Sequence, residues 1–257
     1  MRLPSERTLR TALRLGSLIV FALGWEWTAQ RMHSLLLPGF FATLKALLGL
    51  IASPVLWNAL WISNQAMLLG FALGAIIGVP LGFLMGRWPP AERFVDPYLS
   101  ILLATPMAAL IPIIIMATGL GMVSRVLIVF SFAFVVITVN TRAGLRAFDP
   151  GWIEMARSFS ATEAQMWRKI LLRGALPAIL TGLRLGLARS ISGMLMVELV
   201  LLALGIGRLI LDFQGTFQSA QLYATVLVII AEAVLLMQGC KWLERHAAPW
   251  LGQVAVE

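Results

Sequence analysis

The sequence predicts an all-helical membrane protein with about six transmembrane helices and both termini on the cytoplasmic side. Three observations predict it. Hydrophobic residues make up 60% of the chain and charged residues 12%, with mean hydropathy +0.88, whereas soluble domains are about half apolar and about a quarter charged. Six apolar segments approach the roughly 20 residues needed to cross a hydrocarbon core about 30 Å thick, and all fit within 257 residues. Lysines and arginines gather on one side of those segments, as they do in cytoplasmic loops.

The first span runs from about Leu15 to Thr28 or Gln30, the second from Ala66 to Met85 and the third from Leu99 to Thr118. The fourth covers Val123 to Val139, the fifth Leu176 to Leu204 and the sixth Leu222 to Gln238. Between the first two, Leu35 to Leu50 is bracketed by Pro38 and Pro54 and interrupted by Lys45. It is too short to cross and reads as an interfacial or re-entrant piece. Residues 1–14 read as a cytoplasmic tail, 15–245 as one transmembrane domain and 246–257 as a second tail. The arginine-rich start resembles a signal peptide, but Trp25, Trp27, Gln30 and Arg31 stand where small cleavage-site residues belong. An uncleaved span with an aromatic belt is the expectation.

With the N-terminus inside, Arg2, Arg7, Arg10 and Arg14 fall in the cytoplasm, as do Arg87 and Arg93. So do Arg142, Arg146, Arg157, Arg168, Lys169, Arg173, Arg184 and Arg189 of the fourth–fifth loop and its edges, and Lys241 and Arg245. Sixteen basic residues lie inside, against Arg31, Lys45, Arg125 and Arg208 outside. On this count no span carries a central arginine.

The second span carries Gly70, Gly74, Gly78, Gly82 and Gly86, one every four residues and therefore on one helix face. Such a face lets a neighbouring backbone approach closely, which drives helix association in lipid. Pro80, Pro106 and Pro112 interrupt helices, as is tolerated where neighbours or water satisfy the freed carbonyls. Pro106 and Pro112 thus border a pathway or mark plain kinks. Glu198 and Glu232 lie within spans, where an ionisable group faces a bundle interior or cavity. Glu198 reads as a pathway or interface residue, or as a carboxyl satisfied by a neighbouring helix.

Net charge +8 does not point to nucleic acid, because no Lys/Arg-rich face is interleaved with exposed aromatics. The single Cys240 and the separated His33 and His246 form no metal-ligand pattern. No Gly-x-x-x-x-Gly-Lys-Ser/Thr phosphate loop occurs, nor any arrangement of a nucleophile with its base. The chain reads as non-catalytic.

The most informative segment is the loop 142–173, with Asp149-Pro150 as a helix start. Ala156 and Phe159, then Ala164, Trp167, Ile170 and Leu171, recur at helical spacing as two short helices. Thr162 and Gln165 have the spacing of a capping box. Such a helix pair with basic rims suits docking to another protein, or lies on lipid headgroups.

Here the sequence resembles the EAA loop of ABC-importer permeases, Glu-Ala-Ala, three residues, Gly, nine residues, Ile-x-Leu-Pro. Glu154 and Ala156 match, Met155 replaces the first Ala, and Ser160 stands at the Gly position. Ile170 and Leu172 match, Arg173 replaces Pro, and Leu176-Pro177 supplies the next Leu-Pro. Gly78-Val79-Pro80-Leu81-Gly82, Asp96-Pro97, Thr105-Pro106 and Gly205-Ile206-Gly207-Arg208 are similar to the nitrate, sulfonate, taurine and bicarbonate permeases. The resemblance implies a type I ABC-importer permease fold in a bacterial inner membrane, crossing it several times. It implies a half-channel paired with a second copy, two cytoplasmic ATPase subunits below and an extracytoplasmic solute-binding protein above. ATP and Mg would sit on the partner ATPase, with no cofactor on this chain. Glu154, Ala156, Arg157, Ser160 and Ala161 would form the contact that transmits ATP-driven closure. A positive φ at the turn suits Gly and is adopted reluctantly by Ser, so Ser160 is expected to alter that turn or to hold it by a hydrogen bond. The substrate is expected to be a small anionic or organic nutrient, with an uncharged solute such as a pyrimidine precursor as the alternative. A channel or secondary transporter without an ATPase is the competing class, and it leaves the loop unexplained.

Overall fold

The computed structural model describes residues 6–32, 34–200 and 204–247. Over them the chain forms α1 (Glu6–Met32), α2 (Phe40–Ile51), α3 (Pro54–Arg87), α4 (Pro89–Ala104), α5 (Met107–Thr118) and α6 (Met122–Arg146). Then come α7 (Pro150–Ser158), a short α8 (Glu163–Gln165) that runs through a π-helical turn (Met166–Leu171) into α9 (Leu172–Val200), α10 (Gly205–Gly215) and α11 (Ser219–Ala247). Residues 201–203 of the expected fifth span, His33, and most of the expected C-terminal tail lie outside the described residues.

Four helices are long and apolar enough to cross a membrane: α3, α6, the run Glu163–Val200 and α11. The pair α4 and α5 together makes a fifth, bent by 105° at its break. The six-span reading needs α1 as well, which is 27 residues long. Its apolar run gives way to Glu26, Gln30 and Arg31, so by composition it falls outside that set. It also starts at Glu6, inside the stretch read as a tail.

Helix α6 is the centre of the bundle, gripped between α3 and α9. The five glycines of α3 make the first contact. A Cβ on Gly70 would lie 2.6 Å from Val129 Cβ, one on Gly74 3.1 Å from Ala133 Cβ, and one on Gly78 3.0 Å from Thr138 Oγ1. On Gly82 it would lie 2.4 Å from the Thr138 carbonyl oxygen, and on Gly86 2.6 Å from Leu145 Cβ. Dispersion contact between backbones is what such a stripe permits. Gly182 and Gly186 of α9 receive Ile137 of α6 in the same manner.

The sequence places the second span at Ala66 to Met85, yet α3 begins at Pro54. Polar Ser63 and Asn64 conceal its first half. Both are satisfied inside the bundle, Ser63 by Glu198 and Asn64 by Glu232. The 35–50 piece is the 12-residue α2, packed on α11, α1 and α3, with Leu50 in a core cluster beside Leu56, Ile206 and Ile229. Trp25 donates its indole N–H to the Pro38 carbonyl at 2.9 Å, and Glu26 accepts from the Phe41 N–H at the start of α2.

The break between α4 and α5 falls at Thr105-Pro106. Thr105 is extended, as a residue before proline prefers, and Pro106 has no N–H to continue the ladder. Pro80, Pro97, Pro112 and Pro177 lie inside helices that continue past them.

Candidate functional site

The loop between α6 and α9 is closed at both ends of α7 by its own groups. Asp149 accepts the Gly151 N–H at 2.8 Å, the N-cap that its position predicts. At the other end Ser160 has φ 55°. Its N–H donates to the Arg157 carbonyl at 2.9 Å, and the Ala161 N–H donates to the Ala156 carbonyl at 3.0 Å. This pair of bonds is the Schellman ending, which glycine usually completes. Ser160 therefore adopts the left-handed turn despite its Cβ. Thr162 and Gln165 form the capping box, with N–H to side-chain bonds of 3.0 and 3.3 Å. The second short helix expected here is instead the opening of one continuous run into α9.

The loop is mounted firmly on the bundle. The ring of Phe148 occupies the space a Cβ on Gly174 would take, 2.0 Å from Phe148 Cε2. Trp167 packs on Phe83 at 5.3 Å between centroids, and Arg87 pairs with Glu163 at 3.9 Å. On α7 and the turn that ends it, Ala156 is buried and Ala161 half-buried, whereas Glu154, Arg157 and Ser160 are exposed. Trp152, Met155 and Phe159 are exposed too, Phe159 by 81%. An apolar surface thus stands out on a preformed helix.

A cavity of about 360 Å³ lies between the break, α6 and α9. Leu102, Thr105, Pro106, Met107, Phe132, Val136 and Met196 line it, and among the described residues Arg189 is its one charged side chain. The charge count assigns Arg184 and Arg189 to the cytoplasmic edge, and the structure corrects this for Arg189. Residue 186 is the midpoint of α9, and Arg189 lies within one turn of it. Its position inside the expected fifth span was the available signal. Arg184 differs: it pairs with Glu244 of α11 at 3.2 Å.

Of the residues expected at a pathway or interface, Pro106 lines the cavity, while Pro112 is an exposed residue within α5 and away from it. Glu198 is fully buried within the protomer. Arg125 Nη2 donates to it at 2.9 Å, Ser63 Oγ at 2.8 Å and the Gly207 N–H at 3.0 Å. Arg125 also donates to the Ile62 carbonyl at 2.8 Å, and Ser63 accepts the Ile206 N–H at 3.0 Å. Gly205 has φ 56°, and a Cβ there would lie 2.2 Å from Ser63 Oγ. The Gly-Ile-Gly segment is therefore shaped by the carboxylate it wraps. At the other end of α6, Arg142 pairs with Asp96 and reaches Glu92 at 3.7 Å, and Arg146 pairs with Glu92. This latch ties α4 to α6 just before the loop.

The family described as binding-protein-dependent transport system inner membrane component matches residues 78–251, the part holding the loop, the cavity and both ion clusters. This chain belongs to that family. The ABC permease is 30% identical over 254 residues to the taurine transport system permease protein TauC of Escherichia coli, covering 95% of this chain and 92% of that one. It is 33% identical over 201 residues to the putative aliphatic sulfonates transport permease protein SsuC of Bacillus subtilis, covering 78% and 73%. It is 26% identical over 224 residues to the bicarbonate transport system permease protein CmpB of Synechocystis, covering 87% and 78%. The fold of the permease matches that of the inward-facing MetNI methionine ABC transporter, with TM-score 0.65 and 20% identity over 75% of this chain and 95% of that one. It is the all-helical fold of type I ABC-importer permeases.

Proposed function

We propose that this permease is one half of a symmetric importer in a bacterial inner membrane. A second copy completes the pathway, two ATPase subunits dock below and a solute-binding protein delivers the substrate from above. With Arg189 set aside, fifteen of the 20 basic residues support the face bearing α7 as cytoplasmic. The observation that carries the reading is α7: capped at both ends, set in a loop mounted on α3 and α9, and presenting Trp152, Met155 and the following Phe159 outward. An amphipathic helix with an exposed apolar face suits a groove on a partner. ATP binding on that partner would shift the pathway between outward- and inward-open populations. The relatives' names support a small substrate bearing an oxyanion.

Co-purification of the cognate ATPase tests the docking. Phe159→Asp should lower association by more than about tenfold, as loss of a buried aromatic anchor does, and Glu154→Lys should lower it less. If both variants hold the ATPase as the parent does, α7 is not the docking element.

A further inference from the structure

We infer that Arg189 receives the charged headgroup of a small oxyanion, of the sulfonate, carboxylate or bicarbonate class, in the cavity between α6, α9 and the α4–α5 break. The inference rests on the importer reading above and names the residue that selects the substrate class. Its starting point is the position of the charge. An arginine near the middle of a membrane helix costs several kcal/mol unless it pairs or faces a watery cavity. In α3, α6 and α9, Arg87, Arg125, Arg142, Arg146 and Arg184 each have a carboxylate partner. Arg173, at the first turn of α9, and Arg189 have neither hydrogen bond nor ion pair among the described residues. Arg189 alone of these two is at depth. It is exposed, and it lines the cavity.

The cavity suits a small organic anion in size and lining. Its volume of about 360 Å³ lies at the low end of small-molecule sites, which are mostly apolar with few polar groups that fix orientation. Leu102, Met107, Phe132, Val136 and Met196 supply an apolar wall for a short alkyl chain, and Arg189 supplies one fixed charge. Apolar walls exclude counter-charge and strengthen the field of that cation. A planar guanidinium donates two parallel N–H bonds to a sulfonate or carboxylate. A neutral solute would leave the cation without a partner, which sets the selection.

The test reads the charge without needing the physiological substrate. In the intact transporter, with its ATPase and binding protein, Cys240 is replaced by Ala and cavity residue Ala108 by Cys. Labelling rates are compared for the anionic 2-sulfonatoethyl methanethiosulfonate and the neutral methyl methanethiosulfonate. The anionic-to-neutral rate ratio should be at least about tenfold higher with Arg189 than in Arg189→Gln, the scale of electrostatic focusing in a cleft. It should stay high in Arg189→Lys. A ratio indifferent to Arg189→Gln overturns the proposal, and so does a cavity that neither reagent reaches. ATPase co-purification from the same samples separates the two readings. Its loss with the ratio intact strikes the importer reading alone, and the converse strikes only the anion site.

Discussion

Two arginines of the long helices meet opposite fates. Arg125 is 5% exposed and held by Glu198, with the Ile62 carbonyl as a second acceptor. Arg189 lines a cavity and has no hydrogen bond or ion pair among the described residues. The first is part of the scaffold: its network joins α3, α6, α9 and α10 through Ser63, Glu198 and Gly207. The second is held out of such a network by the same packing, because Gly182 and Gly186 commit the adjacent face of α9 to α6. A charge within a span is therefore structural or functional according to whether its counter-charge is inside the protomer.

The largest expected effect breaks the first half of this contrast. Glu198→Ala leaves Arg125 buried without its counter-ion and should cost about 3–5 kcal/mol, the usual penalty for removing one partner of a buried pair. Thermal unfolding of the detergent-solubilised protein, followed by tryptophan fluorescence, reads it. Replacing both groups by apolar ones, Arg125→Met with Glu198→Leu, should recover much of that loss. Arg189→Met should not lower the midpoint at all, because no partner is orphaned. If Arg189→Met destabilises as Glu198→Ala does, the two arginines belong to one class and the contrast fails.

Next comes the glycine stripe that holds α6 in place. In Gly82→Ala the new methyl would fall 2.4 Å from the Thr138 carbonyl oxygen. Backbone cannot rotate away, so the helices must separate, at about 1–3 kcal/mol. Gly239→Ala is the control: nothing lies within 4 Å of its Cβ, and a gain of about 0.5–1 kcal/mol is expected from helix propensity. Equal midpoint shifts for the two would show that the stripe does not bear the α3–α6 contact.

The stripe and the loop were legible in the sequence because their signals are local. Five glycines at spacing four define a helix face, and Asp149-Pro150 and Thr162 with Gln165 define caps, without reference to anything distant. The break at Thr105-Pro106 was only half legible. Pro106 and Pro112 give the same local signal, yet only the first ends a helix, its predecessor Thr105 being extended. What sequence could not give was pairing. Ser63 looks like a reason to end a span, and it becomes permissible because Glu198, far along the chain, accepts its bond together with that of Arg125. Glu198 was open between pathway and packing for the same reason. Arg189 was misjudged because counting charges by loop treats every basic residue near a span edge alike.

The smallest effect concerns Ser160, where sequence and geometry meet most directly. Its φ of 55° places a Cβ in a conformation that costs a non-glycine residue about 1–2 kcal/mol. Among the described residues its bond into the turn is through the backbone, N–H to the Arg157 carbonyl, and glycine makes that bond equally well. Ser160→Gly should therefore tighten the end of α7 by about 1 kcal/mol, or roughly fivefold slower hydrogen exchange at the Ala161 amide that closes the turn. The exchange of amides in α6 should be unchanged, since the relief is local. An Ala161 amide that exchanges as fast in Ser160→Gly as in the parent would mean that the serine hydroxyl already offsets the strain. The left-handed turn would then be native to serine here.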